Sequence, residues 1–165
     1  MNAEGTQQVK DTVNQLAQQG LEAIYSSPCQ SAEQTAQFIA ERLGVKWKTL
    51  EQLANLDHGL WQGRLIDEVK RQQPKAYRMW QERPETICPP SGEMVRDAQR
   101  RVQSVIDKVL KKHRKGAAGI VAPEPLASLI RGQLCHADLN DLWKAVFDDG
   151  RWESISVEPV GSGNT

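Results

Sequence analysis

Residues 23–44, AIYSSPCQSAEQTAQFIAERLG, restrict the fold more than any other part of the chain. A short apolar run meets a Ser-Ser-Pro break, and a helix follows. Ala32, Ala36, Ile39 and Leu43 fall on one face of that helix, and Gly44 marks its end. Proline lacks the backbone donor a central strand needs, so the extended run has to stop at Pro28. Strand, break and helix make the first half of a βαβ unit, and open α/β sheets place their ligands at such carboxyl ends of strands. Here the residues after the break are Cys29, Gln30 and Ser31, none of them charged. The turn has the position of a binding site without the cations of an anion site.

The rest of the chain alternates in the same manner. Val9, Val13 and Leu16 recur at helical spacing before Gly20, and a weaker extended stretch covers residues 45–50. Residues 55–63, NLDHGLWQG, read as a loop, and a helix over residues 66–73 is stopped by Pro74. Three prolines make residues 83–92 irregular. Val95, Ala98, Val102, Val105 and Val109 trace a long amphipathic helix. A small-residue strand at 118–122, a helix over 126–135 and a last strand at 155–157 follow, and 159–165 read as a disordered tail. The pattern predicts an α/β domain with a mainly parallel sheet. Only two strands look central and the chain opens on a helix, so the sheet should hold more strands than the sequence displays.

At 165 residues the chain is long enough for one domain with a real core. Its 21 basic residues balance 21 acidic ones, which gives no general attraction to nucleic acid or an anionic membrane. The basic run at 108–115, KVLKKHRK, reads as a solvated helix end. No apolar run approaches the length that spans a bilayer, and no signal-peptide core opens the chain. Cys29, Cys88 and Cys135 form no zinc-ligand pattern, and reduced thiols in a cytoplasmic protein are the reading they favour. No cofactor and no metal is expected.

Several segments resemble one family in order along the chain. Residues 2–9, NAEGTQQV, are similar to an opening helix of the form L-x-x-x-G-x-x-Q-A, and 25–36, YSSPCQSAEQTA, to S-S-P-L-x-R-A-x-x-T-A. Residues 55–63 are similar to E-x-x-x-G-x-W-E-G, residues 89–93, PPSGE, to P-x-G-E-S, and 119–134 to a strand, loop and helix of the form V-x-H-G-x-x-x-R. These are motifs of the histidine phosphatase superfamily, which includes the phosphoglycerate mutases. The resemblance implies a phosphoglycerate mutase-like three-layer α/β sandwich over residues 1–158, here missing its first strand.

In that family the first strand carries an Arg-His-Gly whose histidine attacks phosphorus, while a second histidine and two arginines hold the phosphoryl oxygens and a carboxylic acid protonates the leaving group. Convergent cations and a placed acid are what a dianionic phosphoryl group requires. Carried onto this sequence, the pattern fails at every such position. The Arg-His-Gly is absent, the arginine after Ser-Ser-Pro is Ser31, the loop carboxylate is Asn55, and the second histidine is Pro123, followed by Glu124. No catalytic residue is assigned. Ser26, Ser27, Ser31, Asn55, His58, Trp61, Glu93, Pro123 and Glu124 are the pocket-lining residues the resemblance implies. Trp61 also suits a packing plug, Glu93 a helix-dipole partner, and Arg131 an exposed salt bridge. Arg96 and Arg131 are the arginines expected to approach the pocket, and His113 and His136 are expected at the surface.

The resulting expectation is a degenerate, inactive relative that binds a protein or a small ligand, with no nucleic-acid or membrane partner and with oligomeric state open. Two rivals remain. One is an active phosphoryl-transfer enzyme whose catalytic strand lies upstream of Met1, and the other an unrelated helix-rich regulatory protein.

Overall fold

In the computed structural model, residues 3–136 and 152–157 are described. Helix α1 (Ala3–Leu16) leads into strand β1 (Leu21–Ser26), helix α2 (Gln30–Leu43) and strand β2 (Lys46–Thr49). Two short helices, α3 (Ile66–Gln72) and α4 (Pro74–Glu82), then precede the long α5 (Val95–Lys112), strand β3 (Ala117–Val121) and α6 (Leu126–Leu134). Single 3-10 turns sit at Glu51–Leu53, Gly59–Trp61 and Pro84–Thr86.

The three strands form one parallel sheet in the order β2-β1-β3. β1 lies in the centre, and Ala23, Ile24, Tyr25 and Ser26 are all buried, the continuous run expected of a strand covered on both faces. The sheet divides the core. Tyr25, Ala23, Ala118 and Ile120 face the layer of α5 and α6, where Val95, Ala98, Val102, Val105, Leu126 and Leu129 are buried. Ile24 and Val121 face the layer of α1 and α2, against Val9, Ala36, Ile39 and Ala40. Two helical layers around a parallel sheet make the three-layer sandwich that the resemblance implies.

Local chemistry accounts for most boundaries. Gly44 takes a left-handed conformation (φ 68°) and donates its N–H to the Ala40 carbonyl, ending α2 in the manner open to glycine. The buried face of α2 carries Ala32, Ala36 and Ala40, small enough to let the helix approach β1 closely. The apolar residues of α5 recur every three or four positions and are buried as a single stripe.

Three expectations need correction. Pro74 does stop α3, but it also opens α4, because a proline at the first helical position gives up a donor that would be orphaned there anyway. The last strand expected at 155–157 is not formed: those residues belong to no strand and pair with none among the described residues. That segment is held instead by ties from 152–157 to helices: Trp152 Nε1 donates to Gln15, and Glu153 meets Arg131 at 2.8 Å. The strand expected at 118–122 runs from Ala117 to Val121. The sheet is also short, as expected for a fold lacking its first strand, and β3 has no strand on its outer side among the described residues. The tail expected at 159–165 lies outside the described residues.

Candidate functional site

The carboxyl ends of β1 and β3 meet the loops at 50–63 and 89–94, and this is where the motif residues gather. Ser27 donates its backbone N–H to the Val121 carbonyl (2.9 Å), and Leu50 to the Ser26 carbonyl (3.0 Å), so the strand ends are tied side by side. Ser26 and Ser27 are fully buried. Ser26 Oγ lies 3.2 Å from Thr49 Oγ1, which in turn donates to the Glu33 carboxylate at 2.9 Å. The Ser27 hydroxyl has no hydrogen-bond partner among the described residues. Neither serine caps α2, whose N-cap is Cys29 with no side-chain hydrogen bond. Ser31 is exposed, with its hydroxyl 3.6 Å from the Cys29 sulfur.

Across the strand ends, the turn after β3 contains a cis Glu124–Pro125 peptide. Pro123 is half-buried, and its carbonyl accepts from the Ala127 N–H in the first turn of α6 (3.0 Å). The Glu124 carboxylate turns back on the helix, accepting from Ser128 N–H (3.1 Å) and Ser128 Oγ (2.7 Å). Its negative charge is thereby held at the positive end of the α6 dipole. Asn55 bridges the two halves: its Nδ2 donates to the Glu124 carbonyl at 3.0 Å and its Oδ1 accepts from Leu56 N–H at 2.9 Å. Both ends of the Asn55 amide are engaged with backbone.

The loop holding His58 and Trp61 is locked from below. Arg101, on α5, donates to the carbonyls of Gln52 (2.6 Å), Ala54 (2.7 Å) and Asn55 (3.2 Å), and grips both oxygens of Glu93 at 3.1 and 2.6 Å. Glu93 also accepts from the Asp57 N–H at 3.1 Å. Glu93 therefore does more than complement the dipole of α5: with Arg101 it fastens the loop at 52–57 to the loop before α5. The expectation named Arg96 and Arg131 for these loops and missed Arg101. Arg131 is exposed and paired with Glu153, and the guanidinium that arrives is that of Arg101. No helical spacing in the sequence announces this, because its carbonyl partners lie 46 to 49 positions away.

Trp61 is a plug, 4 % exposed, with its ring edge-on to Trp80 at 5.9 Å. His58 lies edge-on to the same Trp80 at 5.7 Å. Burial pushes the His58 imidazole below its ordinary pKa, an effect that nearby Asp57 and Glu93 oppose. It is thereby held toward its neutral form. The second histidine departs from expectation. His113 is not solvated but 7 % exposed at its side chain, with Nε2 3.0 Å from the Tyr25 hydroxyl and Nδ1 2.6 Å from the Glu22 carboxylate. It fixes the end of α5 to β1. His136 is at the surface, as expected. Among the described residues no group of three or more His, Cys, Asp or Glu side chains is arranged to hold a metal ion.

This sandwich, with its strand-end turns and its two glycine loops, has the plan of a known class. The chain belongs to the histidine phosphatase superfamily (branch 1), whose family model matches residues 1–162. It is similar to phosphoserine phosphatase 1 of Hydrogenobacter thermophilus, at 27% identity over 158 residues, covering 96% of this chain and 75% of that protein. It is also similar to the bifunctional protein Rv2228c of Mycobacterium tuberculosis, at 31% identity over 134 residues. That match covers 79% of this chain and spans only 36% of the length of the mycobacterial protein. Among solved structures, Bacillus stearothermophilus YhfR shares the fold with a TM-score of 0.75 at 23% identity, covering 87% of this chain and 71% of that one. Mycobacterial glucosyl-3-phosphoglycerate phosphatase Rv2419c does so with a TM-score of 0.73 at 21% identity, covering 86% and 70%.

Proposed function

We propose that this chain is a non-catalytic member of its superfamily, which keeps the fold and acts by binding. One observation carries the reading: the positions that match the family's arginine, carboxylic acid and second histidine hold Ser31, Asn55 and Pro123, with Glu124 beside the last. Asn55 is engaged at both ends of its amide and the Glu124 carboxylate caps a helix. The arginine that does reach these loops, Arg101, is consumed by three carbonyls and a carboxylate. A phosphoryl dianion needs several charge-assisted hydrogen bonds, each contributing about 1.5–3 kcal/mol, and serine hydroxyls do not replace them against water.

A protein partner fits this reading better than a small neutral ligand. Trp61, the aromatic residue expected to line a pocket, lies in the core, whereas Leu60 in the Asn55 loop and Leu65, Ile66 and Met79 after it are exposed. Exposed large apolar side chains of that kind mark interaction surfaces when they cluster.

Titration calorimetry with orthophosphate and with vanadate tests the site directly. No saturable heat at millimolar anion is the expected result, and tight binding of either anion overturns the reading. The competing reading is phosphoryl transfer, and it draws on the similarity to phosphoserine phosphatase 1. It requires that the cations come from residues other than those at the matched positions.

A further inference from the structure

Away from the strand-end turns, unpaired positive charge gathers in one place. β2 reads Lys-Trp-Lys-Thr, and its first three residues are exposed. It lies at one side of the sheet, next to β1 alone among the described residues. The register sets Lys46 beside Ala23, Trp47 beside Ile24 and Lys48 beside Tyr25. Ala23 and Tyr25 belong to the layer of α5 and α6, and Ile24 to that of α1 and α2. Both lysines therefore stand on the α5 face of the sheet, and Trp47 on the opposite face.

More positive charge reaches the same face from α5. Lys112, its last residue, holds Nζ 5.9 Å from the centroid of the Tyr25 ring. Lys108 stands one turn earlier on the same side of the helix. Lys48 and Lys112 thus flank one aromatic ring, since neighbouring strands are about 4.8 Å apart. The acids at hand are already engaged, Glu22 with His113 at 2.6 Å and Asp107 with Gln103 at 2.8 Å. Arg78, Arg100, Arg101 and Arg131 each have a carboxylate partner. Lys46, Lys48, Lys108 and Lys112 are exposed and have none among the described residues.

We propose that β2 takes up an extended acidic segment of a partner protein, with alternate carboxylates of that segment facing Lys46 and Lys48. Leu50 gives its N–H to Ser26 of β1, so Lys46 and Lys48 also turn their backbone groups to β1. Those of Trp47 and Thr49 turn to the outer side, where an added strand finds its hydrogen bonds. Lys46 and Lys48 are about 6.6 Å apart along the strand, the spacing of side chains two apart in any extended chain. A segment of the pattern acid–apolar–acid sets two carboxylates opposite two lysines and its apolar residue against Trp47. Lys112, beside Lys48, adds a third cation on the carboxylate side. The same charges disfavour a second copy of the chain as the occupant. Antiparallel pairing about Trp47 would set Lys46 opposite Lys48 of the second copy twice over, and like charges so placed repel. None of these residues belongs to the strand-end turns, so the acidic segment and the loss of catalysis can fail separately.

Fluorescence anisotropy of a labelled Glu-Val-Glu-Val-Glu peptide with the full chain, read together with hydrogen exchange, tests this. Saturable binding that weakens as salt rises is expected, with the Trp47 and Thr49 amides gaining protection in the bound state. A Lys-Val-Lys-Val-Lys peptide should not bind. Combining Lys46→Glu with Lys48→Glu should weaken binding about tenfold, and Lys112→Glu severalfold. The milder Lys48→Gln, at an exposed position, should also weaken it severalfold and keeps the test decisive if charge reversal disturbs the sheet. No saturable binding at millimolar peptide overturns the proposal, and so does binding that Lys48→Gln leaves unchanged. Equal or tighter binding of single-stranded DNA of the same charge overturns it too, because the lysines would then be a general anion patch. So does peptide binding that leaves Trp47 and Thr49 exchange unaltered, because no strand would then have been added.

Discussion

Arg101 holds more of the candidate site together than any residue the motifs name. It reaches from α5 to three carbonyls of the Gln52–Asn55 loop and to Glu93, with its side chain 22% exposed. A lysine can replace its charge but not its fork. Arg101→Ala should lower the free energy of unfolding by about 2–4 kcal/mol, because Glu93 and the carbonyls are left without their donor, and Arg101→Lys should recover only part of the loss. Urea denaturation of the two variants checks this. His58 makes a prediction in pH. Its pKa is depressed in the folded state, so the unfolded chain takes up the proton first as pH falls. The stability it supports is complete above the ordinary histidine value of about 6.5 and is lost as pH drops toward its lower folded value. The decline in stability between about pH 6.5 and 5 should be shallower in His58→Gln than in the parent chain. An equal slope in both contradicts the burial argument.

Among the elements, the crossing of two loops is the most sensitive point. A Cβ at Gly59, which has φ +50°, would meet the Pro90 carbonyl oxygen at 2.1 Å, and one at Gly92 would meet the Asp57 carbonyl oxygen at 2.4 Å. Both obstacles are backbone, so neither can move without opening the crossing. Gly59→Ala and Gly92→Ala should each destabilise by roughly 2–4 kcal/mol, read from thermal or urea unfolding. The sequence made these elements legible to different degrees. The single-face patterns of α2 and α5, and Gly44 as a helix end, depend on neighbours within one or two turns, and local spacing reveals them. Pro74 was misleading because the same ring that ends one helix suits the first turn of the next. Arg101 and His113 were not legible at all. Their partners are brought in by tertiary packing, at separations of up to 49 and 91 residues, and no periodicity encodes such a meeting. The substitutions at Ser31, Asn55 and Pro123 could be read in advance, but not that Asn55 and Glu124 are already bonded to their surroundings.

For the whole molecule, the balance of 21 basic and 21 acidic residues sets a further expectation. The lysines of the 108–115 run are exposed around the end of α5. Elution from heparin should come at low salt with a shallow salt dependence. Among the described residues no helix is long and apolar enough to cross a membrane. The family is the histidine phosphatase superfamily, and the proposed loss of catalysis rests on the residues that stand at the matched positions. The central claim is that, among the described residues, the strand ends bring together no convergent cations and no proton donor for a phosphoryl group. Measuring phosphate release from a panel of phosphate monoesters, O-phosphoserine included, tests it most directly. No release above the buffer rate for any ester is the predicted result, and sustained turnover of one of them, proportional to protein concentration, would contradict it.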